Sequence, residues 1–183
     1  TKKIIRKKVR GSDNGHSLFQ VRGTMKLLFI SLGCDKNLVD SEYMIGMLTN
    51  HGIELTDDET EADIIIVNSC CFIGDAKEES INTILEFVNR KNNGLLKKIY
   101  VMGCLSQRYK EELEKEIPEV DKFYGKFDVK TLVSDLCKSS IPSCDGCRHL
   151  TTPSHYAYIK IAEGCDRRCA YCAIPLITGR HIS

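Results

Sequence analysis

The chain has 183 residues, of which 28% are charged, 42% are hydrophobic and 10 are cysteines. That length allows one sizeable core and part of a second domain. The sequence has no apolar run near 18 residues and no secretory signal pattern, which predicts a cytoplasmic protein without a membrane span. In that compartment thiols stay reduced, so the cysteines indicate metal ligands and free thiols rather than a disulfide framework.

The formal net charge of +1 hides an uneven distribution. Residues 1–24 carry a charge of +6, and residues 25–183 therefore carry −5. The charged side chains of this leader are Lys2, Lys3, Arg6, Lys7, Lys8, Arg10 and Arg22, against Asp13. Without helical or strand periodicity, the leader is predicted to be disordered or non-native, with Met25 as the natural start. The alternative is an arm that contacts RNA.

From Met25 onward, short apolar segments alternate with amphipathic ones. Residues 26–31, 63–67 and 98–102 are apolar without alternation, as expected of strands buried on both faces. Helices are predicted from about Ser41 to Gly52, from Asp75 to near Gly94, from Ser106 to before Pro118, and after Asp128. This order predicts a parallel α/β domain over residues 25–137.

A cysteine follows each predicted strand, just before the next helix. These residues are Cys34, Cys70 and Cys104. Because the carboxyl ends of parallel strands share one edge, where ligands bind, three thiols distant in sequence could meet there. The alternative is that each cysteine fills space beside the sheet, since free cysteine is among the most buried residue types.

A polar stretch over residues 138–154 is predicted to be an interdomain linker. In and beside it, Cys137, Cys144, Cys147 and His149 form the pattern C-x6-C-x2-C-x-H. This spacing would allow a structural zinc ion, which is the alternative to a thiol-rich linker.

The last segment, residues 155–183, contains Cys165, Cys169 and Cys172 in the pattern C-x3-C-x2-C. Three thiolates at this spacing can hold an iron-sulfur cluster and leave one iron without a protein ligand. Structural metal sites usually fill every position with protein ligands, whereas an open iron can bind a substrate or cosubstrate. The motif therefore indicates that the open iron takes part in a reaction.

Four segments together resemble the methylthiotransferases, a family of radical S-adenosylmethionine (radical-SAM) enzymes. They are residues 31–42 (SLGCDKNLVDSE), 67–73 (VNSCCFI), 103–109 (GCLSQRY) and 159–165 (IKIAEGC). The resemblance implies an auxiliary 4Fe-4S cluster on Cys34, Cys70 and Cys104, and a radical-SAM 4Fe-4S cluster on Cys165, Cys169 and Cys172. Cys71 stands where many relatives have glycine, and the motif alignment favours Cys70 as the ligand.

The resemblance also implies a reaction. S-adenosylmethionine would bind the open iron, and an electron from a reducing donor would cleave it to a radical that removes a hydrogen from the substrate. The auxiliary cluster would supply the sulfur, since soft thiolates suit iron-sulfur centres. Residues 35–37 (DKN) are similar to the branch that modifies the β-carbon of an aspartate in a small-subunit ribosomal protein. The alternatives are the tRNA-modifying branch, which usually has Gln-Met-Asn there, and a non-catalytic iron-sulfur or zinc module.

Residues 155–183 resemble only the start of the family's second domain, a partial βα barrel. These 29 residues correspond to about one strand and one loop, against roughly 200 residues for a full barrel. The sequence therefore predicts an incomplete radical-SAM domain and a chain that is inactive as it stands. The family does not use Cys137, Cys144 or Cys147 as ligands, which favours the linker over the zinc site.

Overall fold

The computed structural model describes residues 3–4, 25–137 and 148–183. Within these ranges one sheet contains the strands β1 (Lys3–Ile4), β2 (Lys26–Ser31), β3 (Glu54–Thr56), β4 (Ile64–Ser69), β5 (Lys98–Gly103) and β6 (Lys122–Phe123). The sheet order is β1-β2-β4-β5-β6, and β3 also pairs with β2. Strands β2 to β6 are parallel, whereas β1 runs antiparallel to β2. The predicted parallel α/β class is confirmed.

The helices are α1 (Asp35–Asn50), α2 (Gly74–Asn92), α3 (Cys104–Glu116), α4 (Val129–Cys137) and α5 (Ile174–Thr178). The start predicted for the first helix, Ser41, is wrong, because α1 begins at Asp35, directly after its N-cap residue Cys34. The first turn escaped the apolar pattern because two buried positions on the inward face of α1, Asn37 and Ser41, are polar. None of the helices in the described ranges combines the length and apolarity needed to span a membrane.

In the leader, Lys3 pairs with Ser31 and Ile4 with Ile30, and the expectation of disorder stays a prediction. Residues 1–2 and 5–24 lie outside the described ranges, so an RNA-contacting arm stays a prediction. Residues 138–147, including Cys144 and Cys147, also lie outside them. The choice between a linker and a zinc site there stays open.

Helices cover both faces of the sheet. α1 and α4 form one apolar cluster with Leu27 and Phe29 of β2. α2 and α3 form the other with Leu28 and Ile30 of the same strand. From β2 the chain passes through α1 to β3 on one side, and it then continues on the other side through β4, β5 and β6. The order of strands therefore reverses between β2 and β4, which is where open α/β sheets bind ligands.

Two cysteine-bearing turns at this edge depend on a glycine. Gly33 (φ 118°) precedes Cys34, and Gly103 (φ 101°, ψ −158°) precedes Cys104. A Cβ atom at Gly103 would lie 2.4 Å from the Oδ1 of Asn68. Both the torsion angles and the lack of space require glycine at this position. The turn sets the direction in which the chain passes from β5 to Cys104.

Gly103→Ala is expected to lower the free energy of unfolding by about 3 kcal/mol or more, because a clash adds to the strained torsion angles. Gly94→Ala is the matched control, since Gly94 also has a positive φ (73°) but nothing within 4 Å of an added Cβ. That control should cost about 1 kcal/mol. Urea unfolding measures both, and equal losses would contradict the steric account.

Candidate functional site

A cavity of about 530 Å³ lies at the carboxyl ends of β2, β4 and β5. Cys34, Cys70 and Cys104 all line it, so the structure brings together the thiols that follow three separate strands. The apolar part of the wall comes from the turn after β4, from the first turn of α2 and from α5, through Phe72, Ile73, Ala76, Ile174 and Ile177. Cys34 is exposed, whereas Cys70 and Cys104 are buried.

Cys70 and Cys71 lie in different surroundings. Cys70 lines the cavity, and Cys71 is part of the apolar cluster under α2 and α3. The Sγ of Cys71 lies 3.2 Å from the carbonyl oxygen of Cys104. Gly33 makes room for Cys70, because a Cβ at Gly33 would lie 3.1 Å from the Cys70 Sγ. The geometry supports Cys70 as the candidate ligand.

A buried polar network joins the three cysteine turns. The Nδ2 of Asn68 donates to the Asn37 carbonyl oxygen (3.1 Å) and to the Ser41 Oγ (2.8 Å). The Nδ2 of Asn37 donates to the Ser69 carbonyl oxygen (3.4 Å), and its Oδ1 lies 3.6 Å from the Cys104 Sγ. These bonds tie the first turn of α1 to the ends of β4 and β5, and so fix the thiols relative to one another.

The turn that carries Cys70 has an additional fixed point in α2. The hydroxyl of Ser80 accepts a hydrogen bond from the Cys70 amide (3.0 Å) and lies 2.9 Å from the Cys70 carbonyl oxygen. Sequence reasoning assigned no role to Ser80, Asn37 or Asn68. Only Asn68 carried a signal, as a polar residue that follows four buried apolar residues of β4, whereas Asn37 and Ser80 have charged neighbours in their helices.

The cavity affects the chemistry of its thiols. Burial, with a smaller contribution from the neighbouring thiols, raises the pKa of Cys104 to about 12, even though Lys126 acts to lower it. In the metal-free protein this thiol is therefore protonated at neutral pH. Binding of a metal centre to it would release a proton, so that binding is expected to strengthen as the pH rises.

The chemistry of the donor set fits an iron-sulfur cluster. Soft thiolates suit iron-sulfur centres, in which different irons bind different cysteines. In the part of the chain that the structure describes, no three His, Cys, Asp or Glu side chains are grouped to hold one ion.

The cysteines of the second triad lie at the surface and beside it. Cys165 lines a surface cavity together with Arg168 and Arg180. Cys169 is exposed, and the Cys172 amide donates a hydrogen bond to the Cys169 carbonyl oxygen (3.1 Å). A cluster on Cys165, Cys169 and Cys172 therefore stays a prediction.

A partly buried ionic network connects the thiol cavity to the segment before this second triad. The Nζ of Lys126 lies 3.0 Å from the Glu163 Oε2 and 4.0 Å from the Asp40 Oδ2. Lys160 pairs with both carboxylates, and the Nζ of Lys36 lies 3.8 Å from the Glu163 Oε1. Burial raises the pKa of Asp40. Burial also acts on Glu163, but Lys126 and Lys160 outweigh it and lower the pKa of that carboxyl.

Glu42 of α1 anchors the segment that begins at residue 148. Its fully buried carboxylate accepts hydrogen bonds from Arg148 through Nε (2.9 Å) and Nη2 (2.6 Å). It also accepts hydrogen bonds from the Thr151 amide (2.6 Å) and hydroxyl (2.8 Å). Burial alone would raise the pKa of Glu42, but the donors of Thr151 and Arg148 lower it. The Asp-Ser-Glu motif at residues 40–42 therefore includes residues that hold the following segment against α1.

The fold and the site define a class of protein: a parallel α/β domain that collects thiols from three strand ends at its switch point. Residues 26–125 match the family described as "Uncharacterized protein family UPF0004". The chain belongs to this family.

Comparison with curated proteins identifies relatives whose names state an activity. The ribosomal protein uS12 methylthiotransferase RimO of Bacteroides thetaiotaomicron is 61% identical over 156 residues, which are 84% of this chain and 36% of that protein. The RimO protein of Phocaeicola vulgatus is 60% identical with the same coverage. That of Lachnoclostridium phytofermentans is 53% identical over 172 residues, 87% of this chain and 39% of the relative. The resemblance to methylthiotransferases is confirmed, and the chain spans under two fifths of these relatives.

The different placement of the two adjacent thiols leads to a test of ligand identity. Cys70→Ala is expected to abolish iron binding at the cavity, because the thiol that lines it is lost. Cys71→Gly should preserve binding, because that thiol does not line the cavity. Iron content and visible absorption after anaerobic reconstitution of the full-length protein measure both. The opposite pattern would reassign the ligand to Cys71.

Proposed function

We propose that the chain is part of a radical-SAM methylthiotransferase that modifies ribosomal protein uS12, at the β-carbon of an aspartate. The observation that carries the proposal is the single cavity lined by Cys34, Cys70 and Cys104. The names of the curated relatives support this substrate, as do residues 35–37 (DKN).

We assign an auxiliary 4Fe-4S cluster to Cys34, Cys70 and Cys104. A radical-SAM 4Fe-4S cluster, with an open iron for S-adenosylmethionine, is assigned to Cys165, Cys169 and Cys172. When bound, these groups would supply the radical chemistry and the sulfur, which amino-acid side chains alone do not provide. The remaining partner would be a reducing electron donor.

The protein's own residues would orient and shield this centre. Asn37, Asn68 and Ser80 hold the turns that carry the first three thiols. Ile174 and Ile177 of α5, which follows the second triad in the chain, form part of the wall of the first cavity. An apolar wall limits water near the sulfurs, which protects a reactive centre from side reactions.

We divide the chain accordingly. Residues 25–137 would form the auxiliary-cluster domain, residues 138–154 the linker, and residues 155–183 the start of the radical-SAM domain. The packing of α5 against the first domain supports a close arrangement of the two.

The proposal of two clusters predicts how much iron each triad contributes. Replacing Cys165, Cys169 and Cys172 together with Ala in the full-length protein should halve the iron bound after anaerobic reconstitution. The absorption of the auxiliary cluster should remain, because its three ligands are untouched. Iron analysis and absorption spectra give the result, and full retention of iron would remove the second triad from the site.

The substrate is tested with the full-length, reconstituted protein, S-adenosylmethionine, a chemical reductant and a peptide of uS12. Mass spectrometry should show a methylthio group in place of a hydrogen on an aspartate. The matched control is a peptide with that aspartate replaced by Asn, which should stay unmodified. Modification of tRNA and not of the peptide would place the protein in the tRNA-modifying branch.

A further inference from the structure

Lys126 is a buried cation beside the thiols. It is 5% exposed and lines the same cavity as Cys34, Cys70 and Cys104. Lysine is almost never fully buried unless it is paired. The other lysine in the cavity wall, Lys36, has a side chain that is 46% exposed, so solvent screens its charge more strongly.

The backbone holds Lys126 in this position. Its amide donates a hydrogen bond to the Gln107 Oε1 (3.0 Å), and the neighbouring Gly125 amide donates to the Asp128 Oδ2 (2.8 Å). A Cβ atom at Gly125 would lie 2.4 Å from the Gln107 Oε1. Gln107 belongs to α3, which begins at Cys104. The same helix therefore carries a thiol and fixes the turn that supplies the cation.

The network around Lys126 is positive in sum. Among the described residues it contains three ammonium groups, on Lys36, Lys126 and Lys160, and two carboxyl groups, on Asp40 and Glu163. The sum is at least +1 whether or not Asp40 is ionised. A charge inside a protein acts on its neighbours more strongly than one in water, because the local dielectric constant is lower.

A centre bound by three thiolates is negatively charged, and one-electron reduction adds a further negative charge. The reduction potential of such a centre depends on its net charge, its hydrogen bonds and its exposure to solvent. We infer that the buried charge of Lys126 raises the reduction potential of the centre held by Cys34, Cys70 and Cys104. This inference rests on the proposed function.

Glu163 links Lys126 to the second triad. Its carboxylate lines the first cavity and pairs with Lys126, and its backbone lies two residues before Cys165. Its amide donates to the Ile182 carbonyl oxygen (2.8 Å), which fixes the base of the loop. The Lys126–Glu163 pair therefore joins the electrostatics of the first site to the position of the second.

The test uses the full-length protein with Cys165, Cys169 and Cys172 replaced by Ala, so that the iron measured belongs to the first site. Its reduction potential is followed by electron paramagnetic resonance during anaerobic titration with dithionite and mediators. In this background, Lys126→Met removes the charge and keeps the side-chain length, and Lys126→Arg keeps the charge. Lys122→Met is the matched control, because Lys122 lies outside the cavity wall and forms a half-exposed ion pair with Asp135.

Lys126→Met should lower the ratio of reduced to oxidised centre at a fixed potential about tenfold, equivalent to about 59 mV for one electron. Lys126→Arg and Lys122→Met should leave it within about twofold of the parent. Equal potentials for Lys126→Met and Lys122→Met would overturn the inference.

If Lys126→Met does not retain iron, the variant Glu163→Gln tests the inference instead. It keeps Lys126 and removes a negative charge, so the potential should rise, and no rise would overturn the inference. A parent that binds no iron would refute the assignment of the cluster itself.

Discussion

The hydrogen bonds from Asn68 to Asn37 and Ser41 are the interaction on which the site depends. They connect the end of β4 to the first turn of α1 across the point where the strand order reverses. The helices that follow β2 and β4, α1 and α2, lie on opposite faces of the sheet. Without these hydrogen bonds, a cleft would remain open between the carboxyl ends of β2 and β4. Buried amide groups tolerate little displacement, because an unpaired donor or acceptor costs about 1–3 kcal/mol. These polar contacts therefore help to fix the turn that carries Cys34 relative to the turn that carries Cys70.

Much of this arrangement was predictable because parallel strands impose it. Buried strands read as apolar runs, and a cysteine directly after each run must lie at the shared carboxyl edge. The short strands β3 and β6 were missed because three and two residues give no detectable pattern. The early start of α1 was missed for a different reason, since Asn37 faces inward where the apolar pattern requires a hydrophobic residue.

Other parts of the site could not be read from the sequence. The chemistry of the side chains does not distinguish Cys70 from Cys71: the motif alignment favours Cys70, and the course of the turn after β4 directs Cys70 to the cavity and Cys71 to the core. Lys126 and Glu163 are 37 residues apart and become partners only when the segment after residue 148 packs on the first domain. Contacts of that kind depend on tertiary packing, which local periodicity does not encode.

The anchor at Glu42 has a consequence for where the first domain ends. By composition, the linker extends to residue 154, and a cut before Arg148 would look harmless. Such a cut would remove Arg148 and Thr151 from a carboxylate that has no exposed surface. Breaking a buried pair of this type costs about 3–5 kcal/mol, a large share of the total stability of a small domain. A stable first domain is therefore expected to need Arg148 and Thr151, which sequence composition assigns to the linker.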